Sequence, residues 1–219
     1  MQIKPAILPH TYEEISEKLS RIEGLAHMVQ IDLCDGVFGR EKTWMPEGNE
    51  TLPQGFKYEF DIMAHSWKVP LMRSIMIGAS SIVAHVDTFT DQDMEDLVSI
   101  VAARDISLGI SVSNDKEVDF HADMIRKAHA LYSNVFIQVM GILKIGEQGQ
   151  FFEPSTTGRV IALQQQFSDL PIQVDGGMSP DNAALVVRSG AETVVVGSFI
   201  FGSEDAGGAI EKLELAINQ

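Results

Sequence analysis

Short apolar runs rich in β-branched residues alternate with longer amphipathic stretches along the whole chain, and this alternation narrows the accessible folds more than any other feature. The strand candidates are Ile3–Leu8, His27–Leu33, Lys57–Met63, Ser81–Val86, Ser107–Val112, Asn134–Met140, Pro171–Asp175 and Thr193–Gly197. Their starts lie 22 to 37 residues apart, room each time for one strand and one helix. Parallel strands need crossovers of a dozen or more residues, so this repeated spacing marks βαβ units.

The intervening stretches carry helix signals. Thr11 precedes Tyr12, Ile15, Leu19 and Ile22 on one helical face, and Gly24 follows as a stop. Thr90 and Asp91 precede Met94, Leu97, Val98 and Val101 in the same 3–4 rhythm. Ser179-Pro180 sets a proline in the first turn of the next helix, where its missing N–H costs nothing. Gly36–Pro53, with two prolines and three glycines, is the weak unit and predicts at most a short helix. Eight such units predict a single α/β domain over residues 1–219, a parallel eight-stranded (β/α)8 TIM barrel. An open doubly wound sheet would place a glycine-rich turn after the first strand, where the chain reads Ala6-Ile7-Leu8-Pro9-His10.

Composition excludes several classes of partner. Sixteen basic against 31 acidic residues give a formal charge of −15, too acidic to build a face for nucleic acid or an anionic membrane. No apolar run reaches the roughly 18–20 residues of a membrane span. The N-terminus, Met-Gln-Ile-Lys-Pro, lacks the apolar stretch of a signal peptide. The one cysteine, Cys34, cannot form an internal disulfide, so the expectation is a cytoplasmic, reducing compartment.

In barrels of this kind chemistry sits at the C-terminal ends of the strands. Strand seven ends Val174-Asp175-Gly176-Gly177, and strand eight ends Val196-Gly197-Ser198-Phe199. Glycines just past a strand let backbone N–H groups approach an anion, so even an acidic chain can hold phosphate there. Such glycines also serve ordinary tight turns; the pairing of two sites favours phosphate. Alternation on strand two turns Gln30, Asp32 and Cys34 to one face, with Ile31 and Leu33 against helices. The same argument turns Gln173 and Asp175 inward on strand seven. Two carboxylates entering one mouth from different sides suit proton removal from one face of a substrate and delivery to the other. Asp61, Met63 and His65 share a face of strand three, Val83 and His85 one of strand four, and Met140 closes strand six. His10 ends strand one. No cysteine cluster or His-Glu-x-x-His is present, so spacing alone gives no metal site.

Pro5-Ala6-Ile7-Leu8, Ile31-Asp32-Leu33-Cys34-Asp35-Gly36-Val37-Phe38, Val174-Asp175-Gly176-Gly177 and Val196-Gly197-Ser198-Phe199-Ile200-Phe201 resemble the ribulose-phosphate 3-epimerase family. The matches run in order from residue 5 to residue 202. The resemblance implies inversion at C3 of a phosphorylated ketose through an enediolate, with Asp32 and Asp175 as acid and base. It places the sugar phosphate on the backbone of Gly176, Gly177, Gly197 and Ser198, with Gly146 and Gly149 of the strand-six loop. Gln30, Met63, His65, His85 and Met140 would line the pocket. Family members also use a divalent metal on two histidines and two aspartates, and often form homo-oligomers, of which this sequence selects none.

The sequence departs from the family at the metal ligands. The histidine positions are Gln30 and Met63, and the substrate-contacting serine of strand one is Ala6. The loop after strand six reads Leu143-Lys144-Ile145-Gly146-Glu147-Gln148-Gly149-Gln150, one residue longer than the family's, keeping Gly146, Gly149 and Gln150. Replacement ligands would have to come from His65, His10 or His85, or a positive charge from Lys144. Three readings stay open: an epimerase-like enzyme with an altered or absent metal site, a non-catalytic sugar-phosphate binder, or a different phosphate-binding barrel enzyme. The Asp-x-Lys-x-x-Asp of the orotidine- and hexulose-phosphate enzymes is absent.

Overall fold

The computed structural model describes residues 1–39, 41–147 and 149–218; Gln148 of the strand-six loop lies outside the described residues. The strands are β1 (Gln2–Ile7), β2 (Met28–Cys34), β3 (Lys57–Met63), β4 (Ala79–His85), β5 (Ser107–Val112), β6 (Val135–Met140), β7 (Ile172–Asp175) and β8 (Thr193–Val196). All pair in parallel and in chain order, and β8 closes on β1. This is the (β/α)8 barrel the spacing predicts, with every strand within two residues of its expected position.

The helices among the described residues are α1 (Tyr12–Ser20), α2 (Lys68–Met76), α3 (Asp91–Ala102), α4 (Val118–Leu131), α5 (Thr156–Gln166), α6 (Pro180–Arg188), α7 (Ser198–Phe201) and α8 (Ala206–Ile217). The start signals act as read. Thr11 caps α1 by accepting from the Glu14 N–H, and Thr90 forms a reciprocal capping box with Asp93 at α3. Ser179 caps α6 with Pro180 in its first turn.

Outward-facing strand residues such as Ile31, Leu33, Phe60, Ile82, Ile110, Ile137 and Val174 pack against Ile15, Leu19, Leu71, Met94, Leu97, Ile125 and Leu163 of the helices. The main apolar core is therefore the shell between sheet and helices, each buried aliphatic side chain contributing about 1.5–3 kcal/mol. The barrel interior is polar by contrast, holding Lys4, Gln30, Glu59, Asp61, Ser81, Gln138 and Gln173.

One unit departs from the pattern. Between β2 and β3 no helix forms among the described residues, not even a short one. Gly36, Gly48 and Gly55 adopt φ of +75, +96 and +98°, which a helix cannot accommodate. Side chains satisfy the backbone instead. Asp35 Oδ1 accepts from the N–H groups of Val37 and Phe38, both at 2.7 Å, and the Glu50 carboxylate accepts from those of Glu47, Gly48 and Asn49. From this loop the Phe38 ring packs 5.8 Å from that of His65 and 5.4 Å from that of His85. Among the described residues no helix is long and apolar enough to cross a membrane.

Candidate active site

A cavity opens at the C-terminal ends of the strands. Strand ends supply Ala6, Asp32, Met63, Met140 and Asp175; the loops after β6, β7 and β8 supply Ile142, Gly146, Glu147, Gly149, Gln150, Gly176, Gly177, Met178, Gly197 and Ser198. Both aspartates, all six glycine and serine positions read for phosphate, and Met63 and Met140 thus come together in one place. Among the described residues, no lysine or arginine lines the cavity.

Asp32 and Asp175 come from β2 and β7, with β8 and β1 between them. The Gln30 side-chain amide joins them: its Nε2 donates to Asp32 Oδ1 at 2.9 Å and to Asp175 Oδ2 at 3.0 Å. Asp61 lies beneath, and an oxygen of each of the three carboxylates falls within 4.8 Å of the others. His85 Nε2 hydrogen-bonds Asp61 Oδ1 at 2.8 Å, and Gln138 Nε2 donates to Asp61 Oδ2 at 2.8 Å.

Three carboxyl groups this close cannot all ionise cheaply. Burial, and then the charges of Asp175 and Asp61, hold the Asp32 carboxyl well above the usual carboxylate range. Burial and Asp61 push Asp175 up to about 7, against the opposing Gln30 hydrogen bond. Burial works against charge on His85, but the Asp61 carboxylate outweighs it and raises the imidazole above its ordinary value. The cluster therefore binds protons more tightly than free carboxylates do.

Six expectations need correction. Gln30 is fully buried below the cavity floor; it touches the aspartates and does not line the pocket. His85 is likewise buried and off the lining, because Asp61 and the Phe38 ring at 5.4 Å enclose it. His65 falls beyond the end of β3, with its N–H on Asp35 Oδ2 at 2.9 Å and its exposed ring against Phe38, so it cannot reach the carboxylates. His10 is exposed, 3.7 Å from Glu41. Lys144 lies in a separate surface depression with Asp115 and Lys116. Asp61, read only as a strand-face residue, belongs at the centre of the cluster; its two-residue spacing from Met63 on one face was the available signal.

The residues present do not fit the divalent metal implied by the family resemblance. Where one imidazole is expected, the Gln30 amide turns its N–H donors toward the aspartates and offers a cation no nitrogen lone pair. Where the other is expected, Met63 is packed with Leu8 and Cys34, its sulfur 3.6 Å from the Cys34 sulfur. Thioether sulfur is a poor ligand for metals that favour oxygen and imidazole. Burial and the adjoining carboxylates push the Cys34 thiol up, so no thiolate takes their place.

Eight parallel strands closed around a cluster of three carboxyl groups define a (β/α)8 barrel with that cluster in its C-terminal mouth. Comparison with known proteins narrows the class. The model of the ribulose-phosphate 3 epimerase family matches residues 2–201. The chain belongs to the ribulose-phosphate 3 epimerase family. The cytoplasmic isoform of ribulose-phosphate 3-epimerase from Oryza sativa is 24% identical over 222 residues, covering 99% of this chain and 94% of that one. The Aquifex aeolicus ribulose-phosphate 3-epimerase is 26% identical over 226 residues, covering 97% and 95%. Among solved structures, a 3-hexulose-6-phosphate synthase superposes with a TM-score of 0.70 at 17% identity over 99% of this chain and 100% of that one. Orotidine 5'-monophosphate decarboxylase from Sulfolobus solfataricus gives 0.67 at 15% identity, over 99% and 97%. At these identities the two structures speak to the fold alone.

Proposed function

We propose that this protein epimerises a phosphorylated ketose at C3, with Asp32 and Asp175 exchanging the proton across the two faces of the carbon. The observation that carries the reading is the pair of carboxyl groups at the cavity floor, joined through Gln30 Nε2 at 2.9 and 3.0 Å, with burial and neighbouring carboxyl charge raising both above the usual carboxylate range. Two-base epimerisation needs one group free to take a proton while the other holds one to give. With Asp32 protonated and Asp175 ionised, Asp175 removes the C3 proton and Asp32 delivers one to the opposite face. The reverse direction exchanges the roles. His85, Gln138 and Gln30 fix the cluster from below, and the Met63, Met140 and Ile142 side chains wall the cavity apolar, so charge developing on the substrate meets little competing water.

The phosphate lies on backbone N–H groups of the Gly176-Gly177 and Gly197-Ser198 turns, because the lining offers no cationic side chain among the described residues. The cavity is about 60 Å³, so a sugar phosphate extends out of it past the loop after β6. Gly177 is the sharpest test of this grip. Its φ is +69°, and a Cβ there would stand 2.7 Å from the Phe152 Cα. Gly177→Ala is expected to cost about 1–2 kcal/mol of stability and to weaken inorganic phosphate binding at least about tenfold, the equivalent of 1.4 kcal/mol. Calorimetric titration with phosphate checks the second; unchanged affinity would move the anion elsewhere.

Turnover is tested by exchange of the C3 proton of ribulose 5-phosphate in D2O, followed by proton NMR. Exchange with epimerisation is the expected result. Saturable shift changes without exchange would leave a sugar-phosphate binder.

A further inference from the structure

We infer that this chain has replaced its family's metal site with a metal-free, amide-bridged one, in which Gln30 holds Asp32 and Asp175 together where a divalent ion would otherwise do so. The inference rests on reading this cluster as the proton-transfer site, but its test needs no turnover.

Four contacts carry it. Gln30 Nε2 occupies the space between the two carboxylates, 2.9 and 3.0 Å from their oxygens. The opposite amide orientation would give Oε1 at most one carboxyl proton to accept, whereas Nε2 supplies a donor to each aspartate, so the donors point inward. Fixing it leaves Oε1 buried without a partner among the described residues. An unmade hydrogen bond of this kind is costly and is kept only where the other end is needed. Asp61 is committed as well, with Oδ1 on His85 and Oδ2 on Gln138, both at 2.8 Å. Four of the six carboxylate oxygens thus face nitrogen groups of the protein. At the remaining ligand position the Met63 side chain is buried in its own apolar cluster with Leu8 and Cys34. Mn(II), Zn(II) or Co(II) would face the Gln30 N–H donors and find no imidazole at either ligand position.

The two ligand positions are single substitutions away from histidine. The test is metal content of the full-length chain, stripped with chelator, exposed to Mn(II), Zn(II) or Co(II) in turn and desalted. Native mass spectrometry and elemental analysis provide the readout. The wild-type chain is expected to retain no stoichiometric metal, and the double variant Gln30→His with Met63→His one equivalent per chain, with Co(II) giving the visible d–d bands of a nitrogen-oxygen site. Far-UV circular dichroism establishes that the variant is folded; if it is not, Gln30→His alone is compared with wild type. One equivalent held by the wild-type chain and released by Asp175→Asn would overturn the inference. A folded double variant that still takes no metal would overturn the assignment of the exclusion to Gln30 and Met63. If wild type takes no metal and also fails to exchange the C3 proton, the epimerase reading falls while the metal result stands.

Discussion

Asp175→Asn is expected to abolish turnover and, above neutrality, to make the protein more stable than wild type. Loss of a positioned general acid or base typically costs about 10²–10⁴-fold, and the amide can neither take nor give the proton. The stability gain follows from the same carboxyl. Held at about 7 against an ordinary 3.8, it binds its proton more tightly in the folded chain than in the unfolded one. Its contribution is therefore complete below about pH 4, is lost as the pH rises to about 7, and stays lost above. A shift of that size corresponds to roughly 4 kcal/mol at full effect. Partial exposure of Asp175 to the cavity reduces this to about 1–3 kcal/mol. The variant keeps the side-chain shape and removes the charge, so it escapes the loss.

Thermal melts between pH 4 and pH 8 should show the two proteins close together at pH 4 and separating as the pH rises. At about 2–4 °C per kcal/mol for a chain of this length, the difference at pH 8 is about 3–10 °C. A variant less stable than wild type at pH 8 would mean that the ionised carboxylate is satisfied in the folded chain, as a bound cation would satisfy it. The experiment thus bears on the acid/base pair and on the absence of metal, from a direction independent of metal content. A rate profile for C3 exchange should likewise rise through pH 7 as Asp175 ionises.

The sequence made the scaffold legible because two periodicities do not overlap: alternation on β2 and β7 turned Asp32 and Asp175 inward, while Ile31, Leu33, Ile172 and Val174 went to the helices. The Gly176-Gly177 pair after β7 was legible for a similar reason, since little else is compatible with a φ of +102° at Gly176 or +69° at Gly177. What escaped was anything decided by contacts between distant strands. Residue types place Gln30 on the inward face, but only the meeting of β2 with β7 turns it from a pocket wall into a bridge. His65 obeys the alternation of β3 on paper, yet the strand ends at Met63 and Asp35 draws the chain away. The β2–β3 loop, held by Asp35 and Glu50 rather than by a helix, has no period to read.

Lys4 was the residue least visible as important, a lysine near the N-terminus in an acidic chain, and its removal is expected to be the most destabilising single change. It is 3% exposed inside the barrel, with Nζ 2.7 Å from Glu59 Oε1 and 2.7 Å from Gln173 Oε1, and 5.6 Å from the centre of the Phe136 ring. Gly109 makes room for that ring, since a Cβ there would meet it at 2.5 Å. Glu59 also accepts from Ser81 and Gln173; Gln173 donates to Gln138, and Gln138 to Asp61. One hydrogen-bonded chain therefore runs from the floor of the barrel to the carboxylates above. Lys4→Met fills the space but strands the Glu59 charge in the interior, a change that costs about 3–5 kcal/mol and lowers the melting temperature by roughly 6–20 °C. Adding Glu59→Gln removes the stranded charge and keeps partners for Ser81 and Gln173, so the double variant is expected to recover most of the loss. Urea unfolding of the four proteins in this cycle measures the coupling directly. If the second substitution restores nothing, the cost lies in packing around Phe136 and not in the buried pair.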